Sequence, residues 1–346
     1  MRIDTSNHIL EYINTHPQLS SAEIYDGLNR SISYATLKRM LSKLLHDNLV
    51  KTEGKGKATR YIISPTFQLF YPINVDQYFE KEQDERAIKN TFNFDLIADI
   101  LYNADLFSEE DQRRIQGLHL KFINNVSHLT PFEYNKELER LAIDLSWKSS
   151  QIEGNTYSLL ETERLLKEKE TAAGKPKDDA TMLLNHKDAI NFIVDHPDYV
   201  MPLNIRAIED IHSLLIKDLG VDRNIRQRRV GISGTNYTPL DNEHQIRDAL
   251  DEMCRLINNK ENAVEKSLLA IVLLSYIQPF ADGNKRTARI ISNAILMAHH
   301  YCPISFRTVD SIEYKKAMLL FYEQNNISAF KKIFIDQFEF AVNTYF

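Results

Sequence analysis

The residues with the strongest chemical character lie in one run, Gln278-Pro279-Phe280-Ala281-Asp282-Gly283-Asn284-Lys285-Arg286-Thr287-Ala288-Arg289, set between two apolar stretches. Gly283 permits a tight turn and a close backbone approach to a ligand. A helix starting at Asn284 or Lys285 leaves its first amides unpaired and facing anions. Arg286 and Arg289 then share a face of the opening turn, where two guanidiniums oppose the helix dipole unless an anion or a carboxylate compensates them. Asp282 adds a hard oxygen that suits magnesium on a bound nucleotide. The run reads as a phosphate site; the plainer alternative is a Gly-Asn turn whose arginines pair with surface acids.

The flanking elements must hold this run in place. Ser267 to Ile277 is apolar nearly all round, as a buried helix requires, and Pro279 stops it. Ile291, Ile295 and Ala298 recur at helical spacing on the other side. Farther upstream, Leu138, Leu141, Ala142 and Leu145 form the stripe of a helix from Glu137 to Glu153, ended by Gly154. A carboxylate in that last turn opposes the dipole, so Glu153 needs a cationic partner from elsewhere. Helical patterns also cover Asn185 to Val194, Asn204 to Lys217, His244 to Asn258 and Ser311 to Phe346. Ser158 and Glu161 form a capping box for a helix to about Lys169. Two earlier helices are expected, one with Phe94, Ile97, Ala98 and Leu101 on a face, the other with Ile115, Leu118, Phe122 and Val126 behind the cap Ser108. His186, His196 and His212 fall on separate elements without metal-ligand spacing and read as packing or surface residues. Arg229 to Pro239 is the one β-like stretch in this part. The expected fold is mainly α.

The first 64 residues differ in kind. They carry nine basic against six acidic residues, while the whole chain has a net charge of −6. Helical patterns cover Asn7 to Thr15, then Ala22 to Leu28 behind the candidate caps Ser20 and Ser21, then Tyr34 to His46 behind Ser33. Two strand patterns, Leu49 to Thr52 and Thr59 to Ile63, then flank a Gly-Lys turn. This order resembles a winged helix-turn-helix domain. The resemblance implies duplex DNA as partner, with Tyr34, Thr36, Lys38 and Arg39 toward the groove and Lys55, Lys57 and Arg60 toward the backbone; a winged helix used for protein contacts is the alternative. Residues 65 to 93, rich in spaced aromatics, read as a connector packed on the main domain, so the expected division is 1–64, 65–130 and 131–346.

Composition excludes other classes. At 346 residues with 43% hydrophobic and 26% charged residues the chain suits two or three globular domains. Cys254 and Cys302 give neither a disulfide framework nor metal spacing and suit buried thiols in a reducing compartment. Met1 to Asp4 begins no apolar leader, and no run of about 20 apolar residues spans a bilayer. A cytoplasmic protein without membrane contact is expected.

The Gln278–Arg289 run resembles the signature of Fic-domain proteins, His-Pro-Phe-x-Asp/Glu-Gly-Asn-Gly-Arg-x-x-Arg, at Pro279, Phe280, Asp282, Gly283, Asn284, Arg286 and Arg289. It departs at Gln278, where the family has its catalytic histidine, and at Lys285, where most members have glycine. The resemblance extends from about Leu138 to Asn325. It implies a helical core whose loop binds ATP with magnesium through Gly283, Asn284, Lys285, Arg286 and Arg289, with Asp282 on the metal. The histidine would deprotonate a Ser, Thr or Tyr hydroxyl of a target protein, which receives AMP. Ser149, Glu153 and Gly154 match the family's inhibitory motif, whose glutamate is expected to pair with Arg289 and obstruct the γ-phosphate. Val230, Gly231, Ile232, Ser233 and Gly234 fall where the family has its flap, a β-hairpin that aligns the target by strand addition.

A glutamine amide has no useful basicity. The resemblance therefore opens three readings: an adenylyltransferase with weak or lost activity, a nucleotide-sensing regulator that binds DNA, or, because Asn-Lys-Arg also occurs in the Doc toxin, a kinase-like transfer of the γ-phosphate.

Overall fold

The structure is a computed structural model and describes residues 5–47 and 49–346; the leader expectation rests on Met1 to Asp4, outside that range. The chain divides into two compact units. One runs to Ile73 and takes in Gln324–Ser328, and the other comprises Asn74–Glu323 and Ala329–Phe346.

In the first unit, helices α1 (Thr5–Thr15), α2 (Ser21–Gly27) and α3 (Tyr34–His46) precede strands β1 (Val50–Glu53) and β2 (Arg60–Ile63), which pair antiparallel with Val50 opposite Ile63. Ser20 caps α2 in a full capping box and Ser33 caps α3. The spacing of Ile9, Leu10, Ile13, Leu37, Leu41 and Leu44 turns one face of each helix inward, and these side chains form the unit's core with Ile24 and Val50. A short helix α4 (Phe67–Phe70) adds Phe67 to that core, with Tyr71 packed against it. The stretch read as a connector on the main domain is therefore split: its first residues complete the N-terminal core.

The second unit is helical: α5 (Val75–Tyr78), α6 (Glu109–Val126), α7 (Pro131–Ile152), α8 (Leu159–Glu168), α9 (Lys177–Asp195), α10 (Ile205–Leu215), α11 (Glu243–Asn259), α12 (Ala263–Ile277), α13 (Asn284–Ala298), α14 (Ser311–Gln324, up to Glu323) and α15 (Ser328–Thr344, from Ala329). Every residue of α12 is buried, which explains why its sequence lacks a polar face. It packs along α13, and Ser267 Oγ joins Ser292 Oγ at 2.7 Å across the pair. Around this hairpin α7, α9 and α10 pack on α13, and α11 packs on α12. Both cysteines are buried and free, and burial pushes the Cys254 thiol up to about 12, as expected of structural thiols.

Three sequence expectations need correction. The helix through Phe94, Ile97, Ala98 and Leu101 forms over residues 94–100 with a π-helical turn at Leu96–Ile100, but the four do not share a buried face: Ile97 and Leu101 are buried, Phe94 and Ala98 exposed. Phe92 stacks on Tyr276 and the Asn93 amide donates to the Tyr276 hydroxyl, which pins the chain just ahead of this helical stretch. The helix expected at Asn185 to Val194 begins eight residues earlier, at Lys177. The hairpin expected at Arg229 to Pro239 does not form: the sheet β1–β2 is the one named sheet among the described residues, and the stretch makes a single parallel bridge, Thr91 to Thr238. Its alternating residues had no second strand to meet. Among the described residues no helix is long and apolar enough to cross a membrane.

Candidate functional site

The turn between α12 and α13 is held at each residue. Gln278 ends α12 in the left-handed region, φ 52°, a conformation costly for a non-glycine residue. Its side chain offsets that cost: Nε2 donates to the Ser275 carbonyl at 2.6 Å, and Oε1 accepts from Asn284 Nδ2 at 3.1 Å. Arg226 reaches the Gln278 carbonyl with Nε at 2.6 Å, and its backbone amide donates to the Pro279 carbonyl. Asn284 crosses the turn, donating to the Phe280 carbonyl and accepting from the Phe280 amide at 2.8 Å each. His212 stacks on Phe280 with ring centroids 3.6 Å apart, and its Nε2 donates to the Asp282 carbonyl at 2.9 Å.

Gly283 precedes α13 at φ 81°, and a Cβ there would lie 3.1 Å from Ile216 Cγ2 and 3.3 Å from the His212 ring. Both the conformation and the close approach require glycine. The amides of Asn284, Lys285 and Arg286 have no hydrogen-bond partner among the described residues, and these residues line a cleft of about 330 Å³ bordered also by Glu153, by Val230–Ser233 and by Tyr314, Met318 and Tyr322 of α14.

The two arginines have different surroundings. Arg286 is 2% exposed, lines the cleft, meets the exposed Asp282 carboxylate at 3.3 Å, and has a buried Nη1 without a partner. Arg289 is fully buried and saturated. Its Nε donates to Ser149 Oγ at 2.8 Å, Nη2 donates to the Ser149 carbonyl and to Glu153 Oε1 at 2.9 and 3.0 Å, and Nη1 faces the Tyr314 hydroxyl. Lys285 Nζ lies 3.4 Å from the other Glu153 oxygen. Burial alone would raise the Glu153 carboxyl, but Arg289 and Lys285 hold it below its ordinary range. The cation expected for Glu153 from the helix dipole is thus Arg289, brought 136 residues along the chain. Gly154, at φ 99°, terminates α7 as expected.

Of the expected flap residues, Val230, Gly231, Ile232 and Ser233 border the cleft, and Gly234 accepts from Arg86 Nη2 through its carbonyl. The backbone is anchored beyond them, where Tyr237 stacks on Tyr276 and bonds its carbonyl. Sequence reasoning missed Arg226, His186 and His212 as site residues. His212 and His186 are both buried, His196 is exposed. The only signal in the chain was a histidine among the apolar positions of an amphipathic helix. No group of three or more His, Cys, Asp or Glu among the described residues is placed to hold a metal. Magnesium bound through one carboxylate and substrate phosphates needs no such group, and the exposed Asp282 fits that limited role.

In the N-terminal unit, Lys38, Arg39, Lys55 and Lys57 are exposed and Arg60 is half-buried. Tyr34 is partly engaged: its hydroxyl bonds Ser21 Oγ at 2.9 Å, its ring meets Tyr25 edge-on, and Lys38 lies over it. Thr36 bonds the cap Ser33.

Comparison with known proteins agrees with this architecture. Residues 202–296 match the Fic/DOC family, and residues 4–111 match the penicillinase repressor family. A protein adenylyltransferase Fic from Drosophila ananassae is 24% identical over 217 residues, 61% of this chain and 44% of that protein. One from Nematostella vectensis is 28% identical over 174 residues, 49% of this chain and 40% of that protein. The chain spans less than half the length of these curated relatives. Among solved structures, Fic-1 from C. elegans superposes with a TM-score of 0.59 at 21% identity, covering 68% of this chain and 72% of that one. A Fic domain containing signaling protein from Bacteroides thetaiotaomicron gives 0.55 at 19% identity, covering 66% and 94%. The chain carries a Fic fold behind an N-terminal winged helix.

Proposed function

With the Fic fold as premise, we propose that the cleft between the α12–α13 turn, Glu153 and α14 binds ATP with magnesium, as a Fic-type adenylyl-transfer site whose proton-accepting residue is replaced. The observation that carries this reading is Arg286, almost fully buried, with an unpartnered Nη1, beside the open amides of α13. A buried cation with free donors at a helix N-terminus is an anion receptor. Gly283 and Asn284 would shape the turn around the phosphates, and the apolar side chains of α14 and Ile232 would cover the nucleoside. Magnesium on Asp282 would supply charge neutralisation at the phosphates when bound. Residues Val230–Gly234 would present an extended backbone to a target segment carrying a Ser, Thr or Tyr hydroxyl. Glu153 would act as inhibitor by keeping Arg289 and Lys285 from the γ-phosphate. Calorimetry tests the site: Arg286→Ala should weaken magnesium-ATP binding by on the order of tenfold or more, the cost of losing a charge-assisted hydrogen bond. An unchanged isotherm would place nucleotide binding elsewhere.

One observation favours a second reading. Gln278 spends both ends of its amide on the turn, so it accepts no proton and serves as a structural brace. A core that binds nucleotide without transferring it suits a sensor, and the winged helix with its exposed Lys38, Arg39, Lys55 and Lys57 suits duplex DNA. In that case DNA mobility should shift at low salt and recover steeply as salt rises, since phosphate contacts release counterions. No shift with the chain's own promoter DNA would leave the winged helix to protein contacts.

A further inference from the structure

Arg289 is the hinge of the Glu153 clamp, and one of its contacts reaches a residue outside the cleft. Ser149 Oγ lies 2.8 Å from Arg289 Nε and 2.7 Å from Nε2 of His186 on α9. The guanidinium can only donate, so the serine oxygen accepts from Arg289 and its single proton must go elsewhere. Two acceptors are in reach, the imidazole Nε2 and the carbonyl four residues earlier in the helix, and donation to Nε2 requires a neutral ring with its proton on Nδ1. His186 is fully buried, and burial followed by the charges of Arg289 and Arg286 holds its pKa well below the ordinary histidine range. Beyond its own residue, Nδ1 has no hydrogen-bond partner among the described residues.

We propose that His186 is a positioning residue of the clamp: by accepting a hydrogen bond from the Ser149 hydroxyl at Nε2 it turns the serine oxygen toward Arg289 and holds the guanidinium on Glu153. Without that acceptor, the hydroxyl of a helical serine turns its proton back toward the carbonyl four residues earlier, and the oxygen no longer faces Arg289 squarely. The chain His186–Ser149–Arg289–Glu153 thereby links the packing of α9 to the state of the cleft. This rests on the reading of Glu153 as the group that withholds Arg289 from nucleotide.

The test uses the full chain and two substitutions. His186→Gln keeps an acceptor near the Nε2 position, and His186→Phe fills the space without one. Magnesium-ATP binding should tighten in His186→Phe by on the order of fivefold, the lower end of couplings between sites, and stay unchanged in His186→Gln. In the Glu153→Gly background His186→Phe should add nothing. Equal shifts in both substitutions, or a His186→Phe effect undiminished without Glu153, would overturn the proposal. Nitrogen-15 spectra of labelled histidine should show His186 neutral and protonated on Nδ1; an Nε2-protonated or charged ring would also overturn it. If Glu153→Gly itself leaves ATP affinity unchanged, the inhibitory reading fails, and the Arg289 Nε resonance then decides. The positioning role stands if His186→Phe moves that resonance and His186→Gln does not, and falls otherwise.

Discussion

The turn from Gln278 to Gly283 and the strip from Val230 to Ser233 border the same cleft and are built in opposite ways. In the turn, side chains from four elements fix the backbone: Gln278 and Asn284 from within, Arg226 and His212 from outside. In the strip, the amides of Val230 to Ser233 find no hydrogen-bond partner among the described residues, and the segment is tied down on either side of them, at the Arg228 carbonyl before and at Gly234 and Tyr237 after. On the adenylyl-transfer reading proposed above, the difference separates two tasks. Anion binding and electrostatic stabilisation gain from donors fixed before the ligand arrives, so a rigid turn suits phosphate. Recognition by strand addition needs unpaired N–H and C=O groups, so an open strip suits a peptide. The same contrast explains Gln278, because a residue spent on rigidity is not available for proton transfer.

The largest expected effect breaks the rigid side of that comparison. Gln278→His places an imidazole where the attacking hydroxyl's proton must go, and general-base catalysis is worth about 10²- to 10⁴-fold. Incorporation of α-labelled AMP into the chain itself or into lysate proteins should rise accordingly, and rise again with Glu153→Gly, which frees Arg289 for the γ-phosphate. Equal incorporation by the original and by Gln278→His would mean that another group accepts the proton, or that the lost brace has disordered the turn; the magnesium-ATP isotherm separates those two. Label that transfers from the γ-position instead would select the kinase-like reading opened by Lys285.

The rigid turn was also the more legible region. Pro279, Gly283 and the apolar runs on either side specify a helix stop, a left-handed turn and a helix start by local chemistry alone. Glu153 was legible in part: a carboxylate at a helix C-terminus demands a cation, though only resemblance singled out Arg289. Local pattern marked His186 and His212 no further than as histidines among the apolar positions of amphipathic helices, and Arg226 not at all, since one polar residue on such a helix or in a loop acquires its role from what the fold packs against it. The strip misled in the other direction. Its alternation is that of a strand, but strand pairing is decided by a neighbour, and none lies beside Val230–Ser233. The stripe through Phe94 misled in part: the helical stretch forms, but its π-helical turn breaks the 3.6-residue spacing, leaving Phe94 and Ala98 exposed while Ile97 and Leu101 are buried.

The smallest effect sharpens the open side. Gly231 sits mid-strip, its backbone amide donates to no group among the described residues, and a Cβ there would meet none of their atoms within 4 Å. Proline at this position removes one N–H that a docked strand would use, while a surface change without lost contacts alters stability by no more than about 0.5 kcal/mol. In the Gln278→His background, Gly231→Pro should therefore leave the melting temperature and the magnesium-ATP isotherm nearly unchanged. Transfer to protein should fall by roughly fivefold to tenfold, the worth of one hydrogen bond of about 1 kcal/mol or slightly more. Gly231→Ala, which retains the amide, should transfer at the unsubstituted rate. If proline and alanine behave alike, the strip does not hold its target through the backbone, and the openness of Val230–Ser233 reflects a loop that orders around the nucleotide instead.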